Sequence, residues 1–111
     1  MSANSTPLEV TDAAINLTTI NATSTVLSCA TTSKLEAWVS IAAGTTFPIV
    51  QLQASQDNVL WADVGYPLPC KVGAVMVSIP NISAKYARFI VTAAGTGITV
   101  GDAVVNLKAR W

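Results

Sequence analysis

Apolar and polar residues alternate along most of this chain with the period of two that marks a strand buried on one face. The clearest stretch is 49–64, I-V-Q-L-Q-A-S-Q-D-N-V-L-W-A-D-V, where Val50, Leu52 and Ala54 alternate with Gln51, Gln53 and Ser55. Asp57 and Asn58 tolerate positive φ, so they predict a two-residue hairpin turn. The return strand would carry Val59, Trp61 and Asp63 on one side. Upstream, short strands are predicted at 8–11, 14–20 and 25–30, with Ile15, Leu17 and Thr19 sharing a face and Leu27 and Cys29 another. Residues 35–42 set Leu35, Ala37, Val39 and Ile41 against Glu36, Trp38 and Ser40, and Pro48 places the start of the next strand near a sheet edge.

Downstream, 74–79 alternates Val75, Val77 and Ile79 and is closed by Pro80 and Asn81. Residues 85–93 set Ala87, Phe89 and Val91 against Tyr86, Arg88 and Ile90. A short I-T-V strand sits among Gly95, Gly97 and Gly101, and 103–111 carries Val105, Leu107 and Ala109 on one side. Segment 65–73, with two prolines and two glycines, reads as a surface loop or a crossover between sheets.

No segment predicts a helix. Strands recurring every 8 to 12 residues or so, with turn signals between them, predict an all-β fold. The expected architecture is a single antiparallel β-sandwich of about eight strands. The long Pro-rich connection favours a jelly-roll or Greek-key arrangement over a plain meander. With 111 residues there is room for one core. Residues 1–7 read as a polar N-terminal arm and 8–111 as the sandwich domain.

Composition changes the picture at the surface. Half the residues are apolar and 11% are charged, against roughly 25% in ordinary soluble domains, and six acidic residues cancel six basic ones. Such a surface is weakly protected against association, so copies of the chain or another protein are expected to cover part of it. Lys34, Lys71, Lys85, Arg88, Lys108 and Arg110 are scattered, which argues against a nucleic-acid partner. No apolar run approaches the roughly 20 residues that span a bilayer, so no membrane is expected. The beginning of the chain lacks the pattern of a signal peptide, which suggests synthesis in the cytoplasm and reduced thiols at Cys29 and Cys70.

Candidate chemistry is sparse. The chain has no histidine, which removes Ser-His and Cys-His nucleophile pairs. Two cysteines 41 residues apart make no zinc motif. Asp57 with Asp63, Glu9 with Asp12, and Asp102 are more simply turn or surface carboxylates than an acid–base pair or a calcium site. No catalytic residue, metal or cofactor is predicted. The tryptophans matter more: Trp61 is expected in the core, Trp38 at an interface or against a second sheet, and Trp111 against a neighbour.

The segment Ser55-x-Asp57-Asn58-x-x-Trp61-x-x-Val64 resembles the S-x-D-G-x-x-W-x-x-V hairpin of discoidin-like β-sandwich domains. Lys85-Tyr86-Ala87-Arg88-Phe89 resembles their R-Y-V-R-hydrophobic strand. Asn58 stands for Gly and Lys85 for Arg, and the match of about 40 residues implies the architecture alone. In style, as a short, histidine-free, Thr/Ala/Val-rich chain, it is similar to small tailed-phage virion proteins, especially those that decorate or cement capsids.

That similarity implies a non-enzymatic structural protein made in the host cytoplasm and located in the virion. Its partners would be its own copies, a trimer suiting a capsid site, and a major capsid protein. The expected interface residues are Met1, Ser2, Ala3, Asn4, Ser5, Thr6, Pro7, Trp38 and Trp111, with strand addition by the arm or an edge strand. The alternatives are a carbohydrate-binding sandwich on a tail or fibre, using exposed aromatics, and another tail or neck component.

Overall fold

The computed structural model describes residues 8–29 and 33–110, so the predicted arm 1–7 and Trp111 lie outside the described residues. The described residues form nine strands and no helix. They are β1 (Leu8–Asp12), β2 (Leu27–Ser28), β3 (Ser33–Ile41), β4 (Ile49–Ser55), β5 (Ala62–Asp63), β6 (Leu68–Pro69), β7 (Gly73–Ile82), β8 (Tyr86–Ala93) and β9 (Ala103–Arg110). One antiparallel sheet has the order β1-β9-β3-β7. The other has the order β2-β8-β4-β5, with β6 also paired to β4.

The two sheets close on the faces that the alternation marks. Leu35, Ala37 and Val39 on β3 and Val105, Leu107 and Ala109 on β9 pack towards Val50 and Leu52 on β4 and Ala87, Phe89 and Val91 on β8. All are essentially free of solvent, and each large side chain so buried contributes about 1.5–3 kcal/mol. The all-β sandwich expected from the pattern is the fold found.

The departures are local. Segment 14–20 is a chain of turns, although Ile15 and Leu17 are buried as expected. Asp12 accepts from the Ala14 N–H and Asn16 from the Thr18 N–H, and these side chains replace a strand ladder. No strand forms at 98–100: the Asp102 N–H turns back to the Thr99 carbonyl, while Ile98 still enters the core. Pro48 does not mark an edge, because β4 is paired on both sides. The proline stands just outside the strand, and its carbonyl accepts from the Cys70 N–H.

Strand β7 continues through Pro80 to Ile82 and does not stop there. It is an edge strand of its sheet, where a missing N–H is tolerated. Segment 65–73 is the crossover between sheets, with the short β6 inside it.

Connections 42–48, 70–72 and 94–102 gather at one end of the sandwich, here the Gly73 end, where Thr46 pairs with Thr96 and Ile41 with Gly73 and Ala103. Connections 56–61 and 83–85 lie at the other, the Asp57 end.

Candidate functional site

Strand parity that buries Leu35, Ala37 and Val39 turns Glu36, Trp38 and Ser40 outwards. Trp38 lies in register between Met76 on β7 and Asn106 on β9. The indole is 36% exposed and the thioether side chain 37%, an apolar pair in the middle of the outer face of the four-stranded sheet. Trp38 therefore faces outwards, as an interface residue must, and is not covered by a second sheet.

The charges of this face are drawn to the Asp57 end. Glu36 pairs with Arg110 at 3.7 Å and Lys34 at 4.0 Å, and Glu9 with Lys108 at 3.8 Å. The Asn106 amide donates to Glu9 at 2.7 Å and to Thr11 at 3.0 Å. Towards the Gly73 end, by contrast, the outward positions are Ser40, Ala74 and Val104. They run into a shallow depression of about 430 Å³ lined also by Ala42, Gly73, Gly101 and Asp102. No sequence signal marks it, because its walls come from the ends of three strands far apart in the chain.

The opposite flank is clothed by the chain itself. Gln51 is buried, and its amide donates to the Leu52 and Val64 carbonyls at 3.0 Å each, fastening the returning segment alongside β4. Trp61 is not in the core. It lies half-buried on this outer face, with the Arg88 guanidinium 4.1 Å from its ring centroid. Arg88 donates to the Gln53 side-chain oxygen at 3.1 Å, and Gln53 donates to Asp63 at 3.1 Å. Partial burial draws the Arg88 pKa down.

Trp61 departs from its expected place because the turn is longer than two residues. Pairing resumes only at Ala62, opposite Ala54. The buried Ser55 hydroxyl accepts from the Asp57 and Asn58 N–H groups at 3.2 and 2.9 Å and donates to the Asp57 carboxylate at 3.0 Å. That carboxylate accepts in turn from Val59 and Leu60 N–H, each at 2.9 Å. Asn58 takes φ of 62°, the left-handed conformation its residue type tolerates. These five hydrogen bonds fix a loop that holds Val59 and Leu60 out in solvent, 73% and 76% exposed.

Asp57 is thus surrounded by N–H and O–H donors, which hold its carboxyl below the usual range, with Leu60 N–H the largest cause. Among the described residues no group of three His, Cys, Asp or Glu side chains is placed to hold a metal ion. Cys29 and Cys70 are free thiols, each pushed up to about 11 by burial.

No known protein-family profile matches the chain, and no curated protein sequence matches it. Solved structures do. The SPBc2 prophage-derived protein YomS superposes with a TM-score of 0.56 at 12% identity, over 94% of this chain and 95% of that one. CBM32-1, a carbohydrate-binding module from a family 31 glycoside hydrolase of Clostridium perfringens, gives 0.54 at 14% identity, over 97% and 78%. The fold these neighbours share with the chain is a two-sheet antiparallel β-sandwich. Discoidin II of Dictyostelium discoideum itself gives 0.52 at 16% identity, over 81% of this chain and 37% of the discoidin chain. The resemblance carried by Ser55, Asp57, Trp61 and Arg88 thus extends to the architecture.

Proposed function

We propose that the chain is a non-enzymatic structural protein of a phage particle, a capsid decoration or cement subunit. It attaches through the outer face of the four-stranded sheet. The observation that carries this reading is the Trp38–Met76 pair on a face whose ionic side chains are paired off at one end. Aromatic and methionine side chains are favoured at the dry centre of interfaces, and charges are depleted there. The near end-to-end likeness to a prophage-derived protein supports the same reading. Repeated weak contacts on a particle add by avidity, so a small patch on each copy suffices.

A second reading draws on the likeness to CBM32-1: a carbohydrate-binding module on a tail or fibre. A sugar ring stacked on Trp38 would have the Ser40 and Ser78 hydroxyls on the same face. One experiment separates the two. Co-sedimentation with purified particles that is lost in Trp38→Ser, without glycan-dependent quenching of tryptophan fluorescence, supports the structural role. Quenching by soluble oligosaccharides, with no attachment to particles, would refute it in favour of the module.

A further inference from the structure

Of the sheet edges among the described residues, one differs from the rest. The five-stranded sheet ends on β2 and β5, two residues each. The four-stranded sheet ends on one side at β1, five residues that include Glu9 and Asp12. Its other edge, β7, is ten residues long and carries no charge. Short strands, charges, prolines and bulges are the usual guards of an open edge. In β7 the proline and the register shift stand together at one end. Gly73–Ile79 runs clear of both as a regular ladder against β3, and among the described residues no strand pairs with its far side.

The surroundings of this edge say what covers it. An open row of backbone N–H and C=O groups is satisfied by another strand. The side chains call for an apolar one. Met76 is 37% exposed, Val75 and Ile79 are only half-buried although they point to the core face, and Val72, 55% exposed, leads into the strand. Tyr66, 63% exposed, follows Gly65, which lies against Ile79 and Val77. The nearest charges lie off the regular stretch: Lys71 precedes it, and Glu36, beyond Ser78 on β3, is held by Lys34 and Arg110. An uncharged edge has nothing with which to select a charged partner, and a copy of itself meets no like charge.

The pleat fixes the register. Paired residues of antiparallel strands share a face, so a two-fold axis relating two copies of β7 passes beside a residue and not between two. The middle residue of Gly73–Ile79 is Met76. An axis there sets Met76 opposite the second copy's Met76, Val75 opposite Val77, Ala74 opposite Ser78 and Gly73 opposite Ile79, with Pro80 left outside. β-Branched residues then meet on the core side, and about six main-chain hydrogen bonds form.

We infer that two copies of the chain join β7 to β7 about this axis, making one continuous sheet of their two four-stranded ones. Neighbouring strands lie about 4.8 Å apart, so the two Trp38–Met76 pairs become a single apolar row across the outer face. The contact is isologous and closes at two copies, a dimer and not a trimer. It rests on the edge alone and holds whatever the Trp38 face attaches to.

Analytical ultracentrifugation of the whole chain should show a monomer–dimer equilibrium for the wild type. Met76→Lys sets two ammonium groups at the axis and should weaken the association constant by about tenfold or more. Should it lack the native circular dichroism spectrum, Ala74→Lys/Ser78→Lys takes its place, each new cation facing one in the second copy. Ala74→Glu/Ser78→Lys checks the register. Opposite charges now face each other, so it should associate about tenfold or more tightly than Ala74→Lys/Ser78→Lys. A wild type that stays monomeric, or that grows beyond two copies, would overturn the proposal. So would a folded Met76→Lys that associates as the wild type does. Equal association of the two double variants would place the contact elsewhere and overturn it too.

Discussion

The guanidinium of Arg88 lies 4.1 Å from the centre of the Trp61 ring, stacked on the outer face of the five-stranded sheet. Two residues 27 positions apart, one on the loop return and one in β8, are joined there with Gln53 and Asp63. A cation–π contact at a partly solvated site is worth about 0.5–1 kcal/mol. A double-mutant cycle of Trp61→Ala and Arg88→Ala, followed by urea unfolding, should give a coupling energy of about that size. A coupling indistinguishable from zero would show that the stack contributes nothing to stability.

The core sets a different scale. Phe89 is fully buried at the centre of β8, opposite Leu52. Phe89→Ala should cost about 3–5 kcal/mol, from lost transfer free energy and the cavity left behind. Domains of this kind hold about 5–15 kcal/mol in total, so the variant should unfold at distinctly lower denaturant.

Trp38→Ser should behave in the opposite way. The side chain is outside the core but pairs across the sheet with Met76, so urea unfolding should move by about 1 kcal/mol, well short of the Phe89→Ala loss. Attachment to particles should weaken by about 2 kcal/mol or more, the cost of losing an interface anchor. A large loss of stability with attachment unchanged would contradict its role as a contact residue.

The Asp57 loop should respond to acid. Its carboxyl titrates below the ordinary value of about 3.9, because the Leu60 and Val59 N–H groups and the Ser55 hydroxyl stabilise the anion. A depressed pKa contributes stability above the unfolded value and loses it as pH falls through the folded value. The Val59 and Leu60 amides should therefore gain hydrogen-exchange protection as pH rises out of that range, relative to intrinsic rates. Asp57→Ala should remove the dependence.

The thiols act at the other end of the scale. Cys29 and Cys70 are pushed up to about 11 by burial, against about 8.5 for a free thiol. A raised pKa leaves stability intact below the unfolded value and erodes it as pH climbs towards the folded one. Denaturant midpoints should hold from neutral to about pH 8.5 and fall above it. A Cys29→Ala/Cys70→Ala variant should lose that component of the fall, and thiol reagents should label the native protein slowly at neutral pH.

Legibility in the sequence followed regularity of backbone. In β9, and in β8 as far as Val91, every residue stays in the ladder, so Phe89, Val91, Val105 and Leu107 were placed by parity alone. The same parity put Trp38 with Glu36 and Ser40 on the outside. Prediction failed where side chains take over the work of the ladder. Ser55 and Asp57 supply the hydrogen bonds of 55–60, which lengthens the turn and turns Trp61 towards Arg88 and away from the core. Asp12 and Asn16 do the same to 14–20. The hollow at Gly73 was beyond reach for another reason. Its lining joins 40–42, 73–74 and 101–104, which become neighbours only when β3, β7 and β9 are laid side by side.

Gln51 fastens the returning chain beside β4 on one flank, while on the other, among the described residues, Trp38 and Met76 are left partly open to solvent. A body finished on one side only has a front and a back. Should such bodies be set on a curved shell, as we propose, all would lie the same way up, and the face shown to the outside world would differ in texture from the one pressed against its support.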